Sequence, residues 1–442
     1  MPDINAPTHT TSFNAAAVSE TVSHPKLVFE EYDLPNGLHV ILCPSHTVPL
    51  VSLNLWYHVG SKDEDPKRTG FAHLFEHMMF QGSQNIKKAE HFRYVQNVGG
   101  TLNATTNQDR TNYFETLPSS ELELAMWLES DRMLALDVTQ DNFENQRAVV
   151  KEERRQRYDN QPYGTVYENL LWRVFPTSGY HWPTIGSMQH LDETEIHEVQ
   201  AFHKQFYLPN NASLCLVGDF KREEAVELID KYFGVIPAGP AIQRREQVIE
   251  PITQQVRFTM EDNVQLPAVY IAFQSAHAYS PDEYKLDIVS DVLSKGRSSR
   301  LYRELVYKQR IAKEINCYNL SNEKAGMFMV SAVAQIGVEL ERVEEALWME
   351  VARMRSDLAD ATELQKVKNK YEAGYVRSLT EVGSRADHLQ RAYTFKRDAS
   401  LANGELQRLL DVSAEDARDA AVRYLTPEKA VVLHVVPKVK TA

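Results

Sequence analysis

In the stretch "FAHLFEHMMFQG" (71–82), two imidazoles and a carboxylate stand among seven apolar side chains. His73 and His77 are four residues apart, and Glu76 lies between them. On a helix, positions i and i+4 stack on one face, so the two rings would point the same way with Glu76 beside them. Thr69-Gly70 before the stretch and Gly82 at its end bracket a helix of about eleven residues. A helix that is apolar all round is a buried one, and an unpaired charge buried there is costly. A zinc ion removes the conflict. Neutral imidazoles bind it at about 2.0–2.1 Å, and a neighbouring carboxylate can work on the water it holds. His-x-x-Glu-His is the inverted order of the His-Glu-x-x-His zinc-protease helix. The competing reading, satisfied core histidines, accounts better for one His than for this trio.

Catalytic zinc usually takes a third protein ligand. The segment "DNFENQRAVVKEERRQRYDN" (141–160) offers one. As a helix it lines Phe143, Gln146, Val150 and Glu153 along one stripe, which aims Glu153 inward. Glu152 lies about 100° round, with Asn145 and Val149, and is the second choice. In so charged a helix either carboxylate can also sit on a solvated face, and spacing alone leaves that open.

The elements that would carry these residues occur twice. Residues 191–220 read as an amphipathic helix, a Pro-Asn turn and an apolar strand, and 412–437 read the same way around Thr426-Pro427. Each helix ends in a Tyr-Leu pair, Tyr207-Leu208 and Tyr424-Leu425. "VFEEYDLPNGLHVILCP" reads as a hairpin about Asn36-Gly37, and a third strand (51–60) precedes the His-bearing helix. In the second half, "QQVRFTMED" and "PAVYIAFQ" read as strands before a helix around 284–294. Strands followed by helices, twice, indicate an α+β chain of two domains. The boundaries read as a disordered leader 1–25, a first domain 26–235, a linker 236–253 rich in Pro, Gly and charge, and a second domain 254–442.

Composition excludes several classes. With 43% hydrophobic and 25% charged residues the chain is of ordinary globular type. No run approaches the roughly 18 apolar residues of a membrane span. The first 25 residues have no basic n-region, no apolar h-region and no Arg, so a cytoplasmic location is expected. Cys43, Cys215 and Cys317 are too scattered for a disulfide framework or a cysteine zinc site. A net charge of −13 argues against a nucleic-acid partner.

Three stretches together resemble the pitrilysin/insulinase family of zinc metallopeptidases, which includes mitochondrial processing peptidase and bacterial homologues. They are "HLFEH" (73–77), the Glu within "NQRAVVKEERRQR" (145–157), and "GGTLNATTNQDRTNYF" (99–114) between them. "YLPNNASLCLVGDF" (207–220) is similar to the strand closing the family's first domain, and "SKGRSSRLYRELV" (294–306) to a helix of its second. The resemblance implies two homologous domains, each a mostly antiparallel sheet packed by helices, that form one half of a clamshell. It implies one Zn2+ per chain, held by His73, His77 and Glu153, with Glu76 as general base in peptide-bond hydrolysis. Asn103, Ala104 and Thr106 match the strand that pairs with an extended peptide substrate; read without the resemblance, they equally suit a plain sheet strand.

Two positions depart from the family pattern. Gln146 stands where members commonly have a second Glu, seven residues before the third ligand. The Arg and Tyr that hold substrate in active members align here with Val306 and Lys313, with Arg303 and Tyr307 nearby. A chain with the zinc residues but without that pair resembles one subunit of a heterodimer whose homologous partner carries Arg and Tyr. The other readings are a non-catalytic structural subunit and a subunit of an organellar presequence peptidase.

Overall fold

The computed structural model describes residues 24–438. Of the expected leader, residues 1–23 lie outside the described residues. The first half builds a six-stranded sheet from β1 (Glu30–Asp33), β2 (His39–Pro44), β3 (Leu50–Tyr57), β4 (Thr101–Thr106), β5 (Thr111–Pro118) and β6 (Ala212–Gly218), in the order β1-β2-β6-β3-β5-β4. The second half builds a five-stranded sheet from β7 (Val256–Asp262), β8 (Ala268–Ser275), β9 (Ala312–Ser321), β10 (Gly326–Ala334) and β11 (Ala430–Pro437), in the order β7-β11-β8-β10-β9. Without β1 the two orders superpose strand for strand. In each sheet one pair is parallel, β2 with β6 and β7 with β11, and the others are antiparallel. The fold is therefore α+β with two related sheets.

Both faces of the central strands are buried, and alternation along each strand sends its side chains to two different cores. From β2 and β6, Val40, Leu42, Leu214 and Leu216 join helices α1 (Phe71–Met78), α2 (Leu122–Ala135), α3 (Gln140–Arg154) and α5 (Ile196–Phe206). Their neighbours Ile41, Cys43, Cys215 and Val217 meet Val382, Ala386 and Leu389 of α8 (Val382–Lys396), a helix from the second half. The second sheet repeats this. One face packs on α6 (Pro281–Ser294), α7 (Leu340–Ser356) and α9 (Ala414–Tyr424). The other receives Val166, Leu170 and Val174 of α4 (Val166–Val174), from the first half. Each half thus lends a helix to the other's sheet. The three cysteines are buried and free. Among the described residues no helix is long and apolar enough to cross a membrane.

Candidate active site

The His-bearing helix is shorter than its sequence pattern. It spans Phe71–Met78, starting after Gly70 in the left-handed region (φ 100°). Past Met78 the chain tightens, with the Phe80 and Gln81 N–H groups donating to His77 O and Met78 O three residues back. The helix head has a donor problem, since its first N–H groups lack intrahelical acceptors. Glu64 solves it from a distance: its carboxylate accepts from Gly70 N at 2.9 Å, Ala72 N at 2.8 Å and Trp182 Nε1 at 3.0 Å. Burial pushes the Glu64 carboxyl up to about 8 against the pull of those donors. No local signal marks Glu64, because a loop separates it from the helix it caps.

The apolar residues of α1 are buried, whereas His73, Glu76 and His77 remain partly exposed on one side. Across that side runs α3. Its stripe faces as the spacing requires: Phe143, Gln146 and Val150 are buried, and Glu153 points at the two imidazoles. Glu153 Oε2 lies 3.3 Å from His77 Nε2 and 3.7 Å from His73 Nε2. The ring centroids are 4.8 Å apart. Glu152 turns outward to Arg155 and Gln156.

Electrostatics favour a cation among these atoms. Burial, then the His77 ring, hold His73 down to about 4, so its imidazole is neutral near pH 7 with a lone pair to give. The His77 contact keeps Glu153 below the ordinary carboxylate range, hence ionised. Two imidazole nitrogens and one anionic oxygen thus converge, all within 4.8 Å of one another. Among the described residues, Nδ1 of His73 is buried without a hydrogen-bond partner. This donor set fits a zinc ion, with two imidazoles and a carboxylate.

Beside it, Glu76 Oε2 accepts a 2.6 Å hydrogen bond from Thr106 Oγ1. Burial raises the Glu76 carboxyl, and the Thr106 bond opposes the rise. Thr106 ends β4, the edge strand of the first sheet. On that strand Asn103 is exposed and Ala104 buried, and the Ala104 N–H donates to the Asn103 side-chain oxygen at 2.9 Å. So the structure brings Thr106 to Glu76, and leaves Asn103 and Ala104 further along the same edge.

A second group, His91, Glu115 and Glu129, also brings its ligand atoms within 4.8 Å. There the Arg132 guanidinium grips both Glu129 oxygens and supplies the positive charge. At the positions aligned with the missing Arg and Tyr, Val306 and Lys313 border a cleft of about 500 Å³. Arg297 and Tyr302 border it too, and sequence alignment did not single them out. Arg303 faces a different groove, with Asp360 and Glu363, and Tyr307 is 73% exposed.

Comparison with known families places the chain. Residues 39–185 match the insulinase (peptidase family M16) model, and 195–371 match the peptidase M16 inactive-domain model. The chain belongs to the insulinase (M16) family of peptidases. It is 28% identical over 414 residues to the zinc protease PqqE of Helicobacter pylori, covering 92% of this chain and 93% of that one. A probable mitochondrial-processing peptidase subunit beta of Arabidopsis thaliana is 23% identical over 405 residues, covering 89% and 75% of the two chains. The crystal structure of a protease from Helicobacter pylori superposes with a TM-score of 0.89 at 26% identity, over 93% of this chain and all of that one. The structural neighbours are M16 clamshell halves, and this chain has the same architecture. The inactive-domain match begins inside the first half, before β6, and runs to residue 371 of the second.

Proposed function

We propose that this M16 chain is the zinc-bearing subunit of an endopeptidase that cuts short or unfolded peptides inside a closed chamber. One observation carries the reading: His73, His77 and Glu153 converge on one point with Glu76 beside them. His73, His77 and Glu153 would hold one zinc ion, whose chemistry is to polarise the scissile carbonyl and acidify a water.

The protein's own groups do the rest. Glu76 takes the proton of the attacking water and passes it to the leaving amine. Because Thr106 occupies Oε2, Oε1 is the oxygen left for that proton. A carboxyl raised by burial is a stronger base than an ordinary one, which suits it to taking the water's proton. An extended peptide adds to the β4 edge by main-chain hydrogen bonds, a mode largely indifferent to side chains. The Asn103 side chain, which caps the Ala104 N–H, would swing aside as the peptide docks.

The same reading divides the chain into a zinc-bearing unit (26–235) and a second unit (254–442) joined by 236–253. The Arg/Tyr clamp comes from a homologous partner subunit, since Val306 and Lys313 offer neither side chain. The rival is a structural subunit without turnover, in a family whose second-domain model is itself described as inactive. Metal analysis and an assay of the purified chain decide. About one zinc per chain supports the peptidase, and none supports the scaffold. Robust cleavage by the chain alone would remove the need for a partner. Glu76→Gln should keep the metal and lower kcat by about 10²–10⁴-fold, the usual contribution of a general base.

A further inference from the structure

Glu153 presents its two oxygens to different partners. Oε2 faces the imidazoles, 3.3 Å and 3.7 Å from their Nε2 atoms, while Oε1 receives Nη1 of Arg157 at 2.7 Å. Arg157 is the fourth residue after Glu153, and it sits on Arg155–Asp159, where the helix widens to i→i+5 winding. Arg154 anchors that wider turn. Its guanidinium is buried and donates to the Gly186 carbonyl and to Glu168. Gly186 in turn lies hard against the head of α1: a Cβ there would come within 2.4 Å of the Thr69 carbonyl oxygen. The turn bearing Arg157 is therefore tied to both helices that carry the donor set.

We propose that Arg157 is a positioning residue for the metal, holding Oε1 so that Glu153 offers a single oxygen between the two imidazoles. This rests on the zinc reading above. Two effects oppose each other. A guanidinium repels a nearby divalent cation, yet fixing a ligand's orientation raises its affinity. The Arg157 side chain is 74% exposed, so water and salt screen its charge. The 2.7 Å ion-pair contact acts directly on the ligand's second oxygen, as partners of metal-binding side chains do. Orientation wins. The same exposure means the pair adds little to the fold itself.

Zinc affinity, measured by competition with a chromogenic chelator, tests this. Arg157→Gln should raise the zinc dissociation constant about tenfold or more, and Arg157→Lys, which keeps a donor, should recover part of the loss. Arg155→Gln removes the same charge two residues away, from the exposed pair with Glu152, and should leave the constant unchanged. Thermal unfolding of the metal-free variants should match wild type. Arg157→Gln binding as tightly as wild type overturns the proposal, as does equal weakening by Arg155→Gln. A wild-type chain that takes up no zinc overturns the zinc reading along with it.

Discussion

Among single side chains, the sharpest contrast is between the adjacent carboxylates Glu152 and Glu153. They share a helix turn and a charged neighbourhood, yet one faces two imidazoles and the other faces solvent with Arg155. Glu153→Gln should weaken zinc retention by more than the ~10–100-fold that loss of a partner behind a ligand costs, because the donor set loses its carboxylate. Glu152→Gln should leave it unchanged. Dialysis against a weak chelator followed by metal analysis of both variants separates them, and the opposite ranking would reassign the ligand. The helical stripe already favoured Glu153. What periodicity lacked was the facing helix, since a carboxylate at the end of an inward stripe needs a partner to be held there.

For the helices and strands, the question is how α1 is held in register with α3 and β4. Three devices do it: the remote Glu64 cap at its head, the contact of Gly186 with Gly70, and the Thr106–Glu76 hydrogen bond to the sheet edge. Glu64→Gln places an amide against N–H donors and should cost about 1–3 kcal/mol in denaturant unfolding, the penalty of a buried group left unsatisfied. Zinc affinity should fall with it, since the first turn of α1 carries His73. A variant with unchanged midpoint and affinity would show that the cap is dispensable. The early end of α1, at Met78 rather than beside Gly82, has a related origin. Residues 79–81 form turns, Gly82 turns at φ 120°, and the chain leaves the helix axis to pair Ser83 with Leu136.

Across the whole molecule, the two halves are joined by exchanged helices and by a buried ionic group. Glu323, in the β9–β10 turn, accepts from His58 at 2.7 Å and faces Lys62 Nζ at 3.1 Å. Lys62 also reaches Asp109 at 3.3 Å, in the turn leading out of β4. Burial alone would raise the Glu323 carboxyl, but the His58 hydrogen bond and the Lys62 charge hold it well below the ordinary range. A depressed carboxyl stabilises the fold above the unfolded value, about 4.3, and that stability is lost as pH falls. His58, pushed down to about 4 by burial, acts in the same direction, because the unfolded chain takes up its proton first. Glu323→Gln should therefore cost about 3–5 kcal/mol near neutral pH, the price of breaking a buried pair. The gap to wild type should close as the solution is acidified below about pH 4. Urea unfolding at neutral and acid pH reads this, and a pH-independent difference would sink the ion-pair account.

Local pattern alone determined a good deal of this protein. Period-two and period-3.6 spacing marked the repeated strands and helices, and the i, i+4 histidines with Glu76 marked one face of α1. Those signals act over a few residues, within the reach of one turn or one hairpin. Only the tertiary structure decided which helix covers which sheet, and that Glu64 and Gly186 seat α1. Each of these depends on groups brought together by chain closure, such as residues 58 and 323 or 27 and 403, and no period along the chain records such a meeting.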